Sequence, residues 1–282
     1  MDRGTDMSDT EKRGETREFR KKKRKRRSMG IVEILLMAVS VCVLAVSLWK
    51  LGGILLEYKA GTDAYTELKS YALLKTGEGG EKTEDDFLMM DVDFDALSAI
   101  NEDFVAWFSM PVLELDYPVV QGEDDEYYLT HTFEGEENSA GAIFMDSAAN
   151  SSLTDFNTFL YGHNMKNGSM FGKLKQFGRD ERLCDSDPYF YLYTRDVAYR
   201  YRIISYYVTT DGSSAYFKPA TQEEYKAYVQ QVLSGTPYDA REPLPEGPMV
   251  TLSTCYGQAG GVQRFVVHGV LEETRLQGES EE

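Results

Sequence analysis

Residues 31–56 read IVEILLMAVSVCVLAVSLWKLGGILL and carry only Glu33 and Lys50 as charges. A run this apolar constrains the rest of the chain, because it must be either buried or dissolved in lipid. As a helix its uncharged centre, residues 34–49, would be about 24 Å long and the whole run about 39 Å, against a hydrocarbon core of about 30 Å. One tilted membrane helix fits, with Trp49 in the interfacial belt and Lys50 snorkelling outward. Just ahead of it, residues 21–27 are Lys or Arg without interruption. The positive-inside rule keeps that end cytoplasmic and places everything after residue 56 outside, the topology of a signal anchor. A cleaved signal peptide would need a small-x-small site after the run. The sequence there is Trp49-Lys50-Leu51-Gly52-Gly53, which offers no clean one.

Beyond the run the charge reverses. Residues 1–30 hold 12 Lys and Arg against 6 Asp and Glu, whereas residues 57–282 hold 17 against 40. A body this acidic repels phosphate backbones, so nucleic acid is excluded as its partner, and the basic tail is explained by topology. A length of 282 residues, 42% hydrophobic with 8 Pro, leaves room for one catalytic-sized domain with a real core. The three cysteines, Cys42, Cys184 and Cys255, exclude a disulfide scaffold, although a Cys184–Cys255 bridge stays open. With three histidines and no Cys-x-x-Cys or His-x-x-x-His pair, no zinc site is expected. The acidic run Glu123-Asp124-Asp125-Glu126 reads as a solvated face rather than a calcium loop.

After residue 56, apolar residues at helical spacing predict a juxtamembrane helix over 55–74, and the Gly- and charge-rich stretch 76–86 predicts a loop. Phe94, Leu97, Ile100, Phe104 and Trp107 recur at helical steps and predict a second short helix capped by Asp93 or Asp95. From residue 110 the period shifts towards two. The segments PVLELDYPVVQ, YYLTHTF, AGAIFMD, NTFLYGHNM, YFYLYT, AYRYRIISYYVTT, PMVTLSTC and QRFVVHGVL are rich in Val, Ile, Tyr, Phe and Thr, and predict about eight strands in a closed antiparallel barrel or a sandwich. Between them, residues 221–235 open with Thr-x-x-Glu, a capping box, and end at Gly235, which predicts one inserted helix. No phosphate-cradling glycine loop and no Gly-x-Ser-x-Gly elbow is present.

Three residues invite chemistry. Cys255 ends the strand-like run 249–254 and precedes Tyr256-Gly257-Gln258-Ala259-Gly260-Gly261, so its thiol sits beside a turn. His163 ends a second apolar run, and histidine is the side chain suited to protonating a leaving amine near neutral pH. Arg264 opens a strand nine positions after Cys255, within reach of a hairpin return, where a guanidinium can stabilise an oxyanion. Taken singly, a buried cysteine, a solvated loop histidine and a surface arginine are ordinary outcomes.

Together, NTFLYGHNM (157–165), TLSTC (251–255) and RFVVHG (264–269) resemble the histidine, cysteine and arginine motifs of the sortases, and TLSTC is the most specific of them. The stretches INEDFVAW (100–107), DYPVVQ (116–121), YLTHTFEG (128–135) and GAIFMD (141–146) are similar to class B in particular, and so is the helix before the cysteine strand. The resemblance covers about 94–271. It implies a mainly β fold, a closed sortase-type barrel of about eight strands with N-terminal helices and one helix inserted before the cysteine strand. It also implies a cysteine transpeptidase with no cofactor, in which Cys255 is the nucleophile, His163 the general acid/base and Arg264 the oxyanion donor. Ser253, Thr254 and Tyr256 would line the substrate groove, while His131 and His268 fall outside the catalytic motif and Cys184 is incidental. The implied partners are secreted proteins with a C-terminal sorting signal of Asn-Pro-x-Thr or Ser/Pro-Pro-x-Thr type, and a peptidoglycan precursor amine. Lipid contacts residues 31–56. A pilin-polymerising sortase and a cysteine hydrolase that resolves its thioester with water are the alternatives, though no lid segment or second apolar tail is evident after the barrel. The expected layout is a cytoplasmic tail (1–30), the membrane anchor (31–56), a juxtamembrane helix and linker (57–92), an extracellular catalytic domain (93–275) and an acidic tail (276–282).

Overall fold

The computed structural model describes residues 30–74, 87–240, 242–257 and 260–277, and counts below refer to these. The basic run at 21–27, the loop at 76–86 and the acidic end at 278–282 lie outside them. The chain divides into two compact units, Met1–Leu51 and Gly52–Glu282.

Helix α1 (Ile31–Leu68) begins in the first unit. There it shows an all-round apolar surface, with Leu36 64%, Val43 61% and Trp49 78% exposed. It is the one helix long and apolar enough to cross a membrane, with a mean hydropathy of 2.7. Its two serines turn inward on the helix itself: the Ser40 hydroxyl donates to the Leu36 carbonyl at 2.9 Å and that of Ser47 to the Val43 carbonyl at 2.8 Å. Both donors are satisfied within the helix.

In the second unit α1 becomes one-sided and buries Gly61, Tyr65 and Leu68. The helix predicted to residue 74 stops at Leu68. One 3-10 turn leads into strand β1 (Ala72–Leu74), which pairs antiparallel with β2 (Met90–Val92). Helix α2 (Phe94–Ile100) follows, capped by the Asp93 carboxylate, which accepts from the Ala96 N–H at 2.9 Å. Its predicted continuation through Trp107 does not form. The Asn101 side chain accepts from the Asp103 N–H at 2.8 Å and turns the chain into strand β3 (Phe104–Met110), which is buried on both faces, so its apolar residues imitate helical spacing.

The remaining strands are β4 (Leu115–Val120), β5 (Ile143–Met145) and β6 (Asn157–Tyr161), then, after helix α3 (Arg182–Ser186), β7 (Tyr189–Tyr193) and β8 (Val197–Thr210). Helix α4 (Gln222–Ser234) precedes β9 (Met249–Cys255) and β10 (Gln263–Leu276). Eight strands close a barrel in the order β10-β8-β7-β3-β4-β5-β6-β9. Two of its pairings, β4–β5 and β6–β9, are parallel. Helix α4 sits where its capping signal predicts: the Thr221 hydroxyl accepts from the Glu224 N–H at 3.2 Å. The aromatic segment 127–133 is not a strand. The Asp124 carboxylate accepts from the N–H groups of Glu126 and Tyr127, both at 2.9 Å, and this starts a 3-10 turn at Tyr127–Leu129.

Alternation along the strands divides the apolar residues between two cores. Val250, Leu252, Phe265 and Val267 join Phe108, Leu160, Phe190 and Leu192 in the principal core. Met249 and Val270 face the other way and pack with Ile204 under Tyr225, Tyr228 and Val232 of α4. The fit leaves no spare volume at Gly269, where a Cβ would lie 2.2 Å from Phe190 Cε1 and 3.2 Å from Tyr201 Cβ. Gly269→Ala should therefore destabilise the fold by about 1–3 kcal/mol through overpacking. Urea unfolding of the two proteins checks this, and an unchanged midpoint would contradict the packing described.

Candidate active site

The register of β6 and β9 assembles the site. In this parallel pair Asn157 faces Met249, Phe159 faces Thr251 and Tyr161 faces Ser253. The Gly162 N–H continues the ladder to the Ser253 carbonyl at 3.2 Å. His163 and Cys255, each two residues beyond the last pair, therefore come level at the same end of neighbouring strands. On the other side β10 runs back antiparallel, and its register sets Arg264 directly opposite Cys255. Two glycines make this rim possible. A Cβ on Gly162 would lie 2.4 Å from Ile143 Cδ1 and 2.9 Å from Phe171, and Gly257 turns the chain after the cysteine with φ +79°.

Cys255 is exposed, although the six β9 residues before it are buried. Cys184 is fully buried on α3 and neither it nor Cys255 is in a disulfide, so the bridge left open by the sequence is not formed. The His163 ring is held by one bond, from Nε2 to the Leu129 carbonyl at 2.7 Å. A carbonyl can only accept, so neutral His163 carries its proton on Nε2 and keeps Nδ1 for proton exchange. Arg264 donates from one terminal nitrogen to the Gly261 and Gln263 carbonyls at 2.8 and 3.0 Å, and from the other to Asp211 at 3.0 Å. Among the described residues no hydrogen bond joins Cys255 to His163 or Arg264.

Beneath the rim lies a buried polar lattice on the outer barrel face. Ser253, 3% exposed, shares a 2.7 Å hydrogen bond with the Tyr216 hydroxyl. Burial pushes the Tyr216 phenol up, while the Ser253 bond and the nearby Arg264 charge pull it down. The Thr251 hydroxyl donates to Asn157 at 2.8 Å and lies 2.9 Å from His268 Nδ1, and His268 Nε2 lies 3.2 Å from the Tyr207 hydroxyl. Thr254, one residue out of phase, is 2% exposed opposite Phe265, and its hydroxyl has no hydrogen-bond partner. It faces the barrel core, on the side of Phe265. Tyr256 is half-buried and stacks on Phe265 with ring centroids 6.0 Å apart.

Asp211, Tyr216 and the Leu129 carbonyl belong to the site but carry no signal in the sequence, since each arrives from a loop by tertiary folding. His131 stacks on Tyr127 with ring centroids 4.1 Å apart. Among the described residues, one cleft of about 420 Å³ lies beside Arg202, Leu244 and Leu271, and another of about 290 Å³ beside Leu74, Met90 and Trp107.

This arrangement has known relatives. A family model described as "Sortase domain" matches residues 108–272. Sortase B of Listeria monocytogenes is 32% identical over 179 residues, covering 62% of this chain and 72% of that protein. Sortase B of Staphylococcus aureus is 29% identical over 171 residues, covering 57% and 67% respectively. The crystal structure of sortase B from Bacillus anthracis superposes with a TM-score of 0.64 at 31% identity, covering 77% of this chain and 99% of that one.

Two outcomes follow from the site's burial. Iodoacetamide should alkylate Cys255 in the folded protein and reach Cys184 only after denaturation, as peptide mass mapping would read directly. His268 is fully buried, and desolvation lowers its pKa to about 3. The unfolded chain therefore takes up this proton first, so the stability His268 confers is complete above about pH 6.5 and declines as the pH falls towards 3. Between pH 6.5 and 5 a His268→Gln variant should lose less stability than the parent, by up to about 2 kcal/mol. Parallel pH profiles in urea unfolding would contradict the neutral, buried assignment.

Proposed function

The chain belongs to the sortase family and stands with its class B members, which are cysteine transpeptidases; on that premise we propose that it is a membrane-anchored enzyme joining secreted proteins to peptidoglycan. It cleaves a C-terminal sorting motif after Thr, of the Asn-Pro-x-Thr kind that class B suggests, and transfers the acyl group to a wall-precursor amine. The observation that carries this reading is the convergence of Cys255, His163 and Arg264 on one barrel rim through two strand registers.

Each residue has a role its position supports. The Cys255 thiolate attacks the Thr carbonyl carbon, and the displaced electron pair makes an oxyanion that Arg264 stabilises. The guanidinium has donors to spare beyond its three resting bonds. As the C–N bond breaks, protonated His163 gives a proton to the departing amide nitrogen, leaving a thioester on Cys255. The acceptor amine then attacks this thioester, His163 takes back a proton, and the thiolate leaves. Ser253 acts indirectly here, holding Tyr216 against the groove.

Residues 31–56 tether the enzyme in the membrane, with the basic tail in the cytoplasm and the barrel outside. Both substrates are met at the outer membrane face, and tethering there raises their effective concentration. The acidity of the barrel keeps nucleic acid from being a partner.

Mass spectrometry of the protein after incubation with Pro-x-Thr-containing peptides, with and without an added amine, tests the reading. The expected result is an acyl adduct on Cys255 that the amine discharges to a peptide–amine product, with no adduct in Cys255→Ala. An adduct released only by water would make the enzyme a hydrolase. No adduct from any peptide, with Cys255 still reactive to iodoacetamide, would overturn the proposal. In the same assay His163→Ala should slow acylation by about 10²–10⁴-fold and Arg264→Ala by about 10²–10³-fold.

A further inference from the structure

The segment that holds His163 is itself held by α1. Leu129, whose carbonyl accepts from His163 Nε2, ends the turn Tyr127–Leu129, and Gly141 packs directly on that turn. A Cβ at Gly141, where φ is +57°, would lie 2.5 Å from the Tyr128 carbonyl oxygen and 3.0 Å from that of Leu129, so only glycine permits the approach. The Gly141 carbonyl in turn accepts from the Tyr65 hydroxyl of α1 at 2.7 Å, and the same hydroxyl accepts from the Phe133 N–H at 3.2 Å. One phenol oxygen thus ties both ends of segment 133–141.

Two further α1 residues on the same face repeat the grip at four-residue spacing. Gly61 sits against Asn138 and Ala140, with a Cβ placed there 3.1 and 3.3 Å away. Glu57 receives the Asn138 amide on its carbonyl at 3.2 Å and the Ser139 N–H on its carboxylate at 2.9 Å. Tyr65 is 5% exposed, and both groups it satisfies are backbone groups that would otherwise be buried without partners.

We propose that Tyr65 is a positioning residue for His163: through Gly141 it fixes the Leu129 carbonyl that selects the proton-bearing nitrogen of the imidazole. The α1 turns that follow the membrane span are then part of the catalytic machinery and not a spacer. This inference rests on the reading of His163 as the general acid/base.

The test compares the full chain in lipid nanodiscs with its Tyr65→Phe variant, both carrying ¹⁵N-labelled histidine rings. With three histidines in the chain, each ring can be assigned by single replacement. The parent should show His163 as a single tautomer with the proton on Nε2. In Tyr65→Phe a second tautomer should appear, and kcat for peptide acylation should fall about 10-fold with KM nearly unchanged, as expected for misplacing one catalytic group. Leu68→Ala, a truncation one turn further along α1, should lower the melting temperature and leave the His163 tautomer alone. An unchanged tautomer and kcat in folded Tyr65→Phe would overturn the proposal, and so would the same changes in Leu68→Ala. Glu57→Ala, which removes the acceptor for Ser139, should act in the same direction if Tyr65→Phe does not fold, and an unaltered His163 there would count equally against the proposal. Full activity in His163→Ala would instead defeat the catalytic reading, while the tautomer in Tyr65→Phe would still decide the positioning role.

Discussion

The parallel pairing of β6 with β9 is the constraint on which the rest of the structure depends. Parallel strands end at the same side of a sheet and cannot be joined by a tight turn. The chain between Tyr161 and Met249 must therefore travel from one rim of the barrel to the other, and it does so through α3, β7, β8 and α4. The C-terminal ends of β6 and β9 share a rim, and β10, running antiparallel to β9, has to begin there. A histidine just past β6, a cysteine ending β9 and an arginine opening β10 are brought together by strand direction alone, although nearly a hundred residues separate the first two in sequence.

What keeps that rim in shape is a polar layer that is buried and largely satisfied. Asn157, Thr251, His268 and Tyr207 link β6, β9, β10 and β8 side by side across the outer face. Tyr228 of α4 donates to the Ala215 carbonyl at 2.5 Å and receives the Asn157 amide at 3.2 Å, so the inserted helix is tied to the same layer. Networks of this kind specify one arrangement because every alternative strands a polar group away from water. Facing away from it, Thr254 leaves a buried hydroxyl without a partner, a cost confined to the core side of the strand.

Much of this was legible before the structure, for identifiable reasons. The apolar run at 31–56 announces a long apolar helix, Thr221 announces the start of α4, and the β-branched and aromatic runs around residues 157, 249 and 264 mark three strands that border the site. Local periodicity misleads where a segment is buried on all sides or seized by a turn. Phe104 and Trp107 keep helical spacing inside a strand, and Tyr128 sits in an aromatic run that Asp124 bends into a 3-10 turn, where its hydroxyl reaches Asp103 at 2.7 Å. In the site, Cys255, His163 and Arg264 are chemical types that declare themselves. The Leu129 carbonyl is a backbone atom, and Asp211 and Tyr216 come from the long connection after β8, so nothing in their local sequence points to the thiol.

The claim most exposed to test is that β6 and β9 carry residues 163 and 255 to adjacent positions. Neighbouring strands set Cα atoms about 4.8 Å apart, inside the range of about 4.4–6.8 Å that a disulfide accepts. A chain with His163→Cys on a Cys42→Ala, Cys184→Ala background should close a 163–255 disulfide under mild oxidation, seen as one cross-linked peptide by mass spectrometry. The same chain with Lys166→Cys in place of His163→Cys should form none. Absence of the 163–255 cross-link, or equal cross-linking from position 166, would contradict the register from which the site is built.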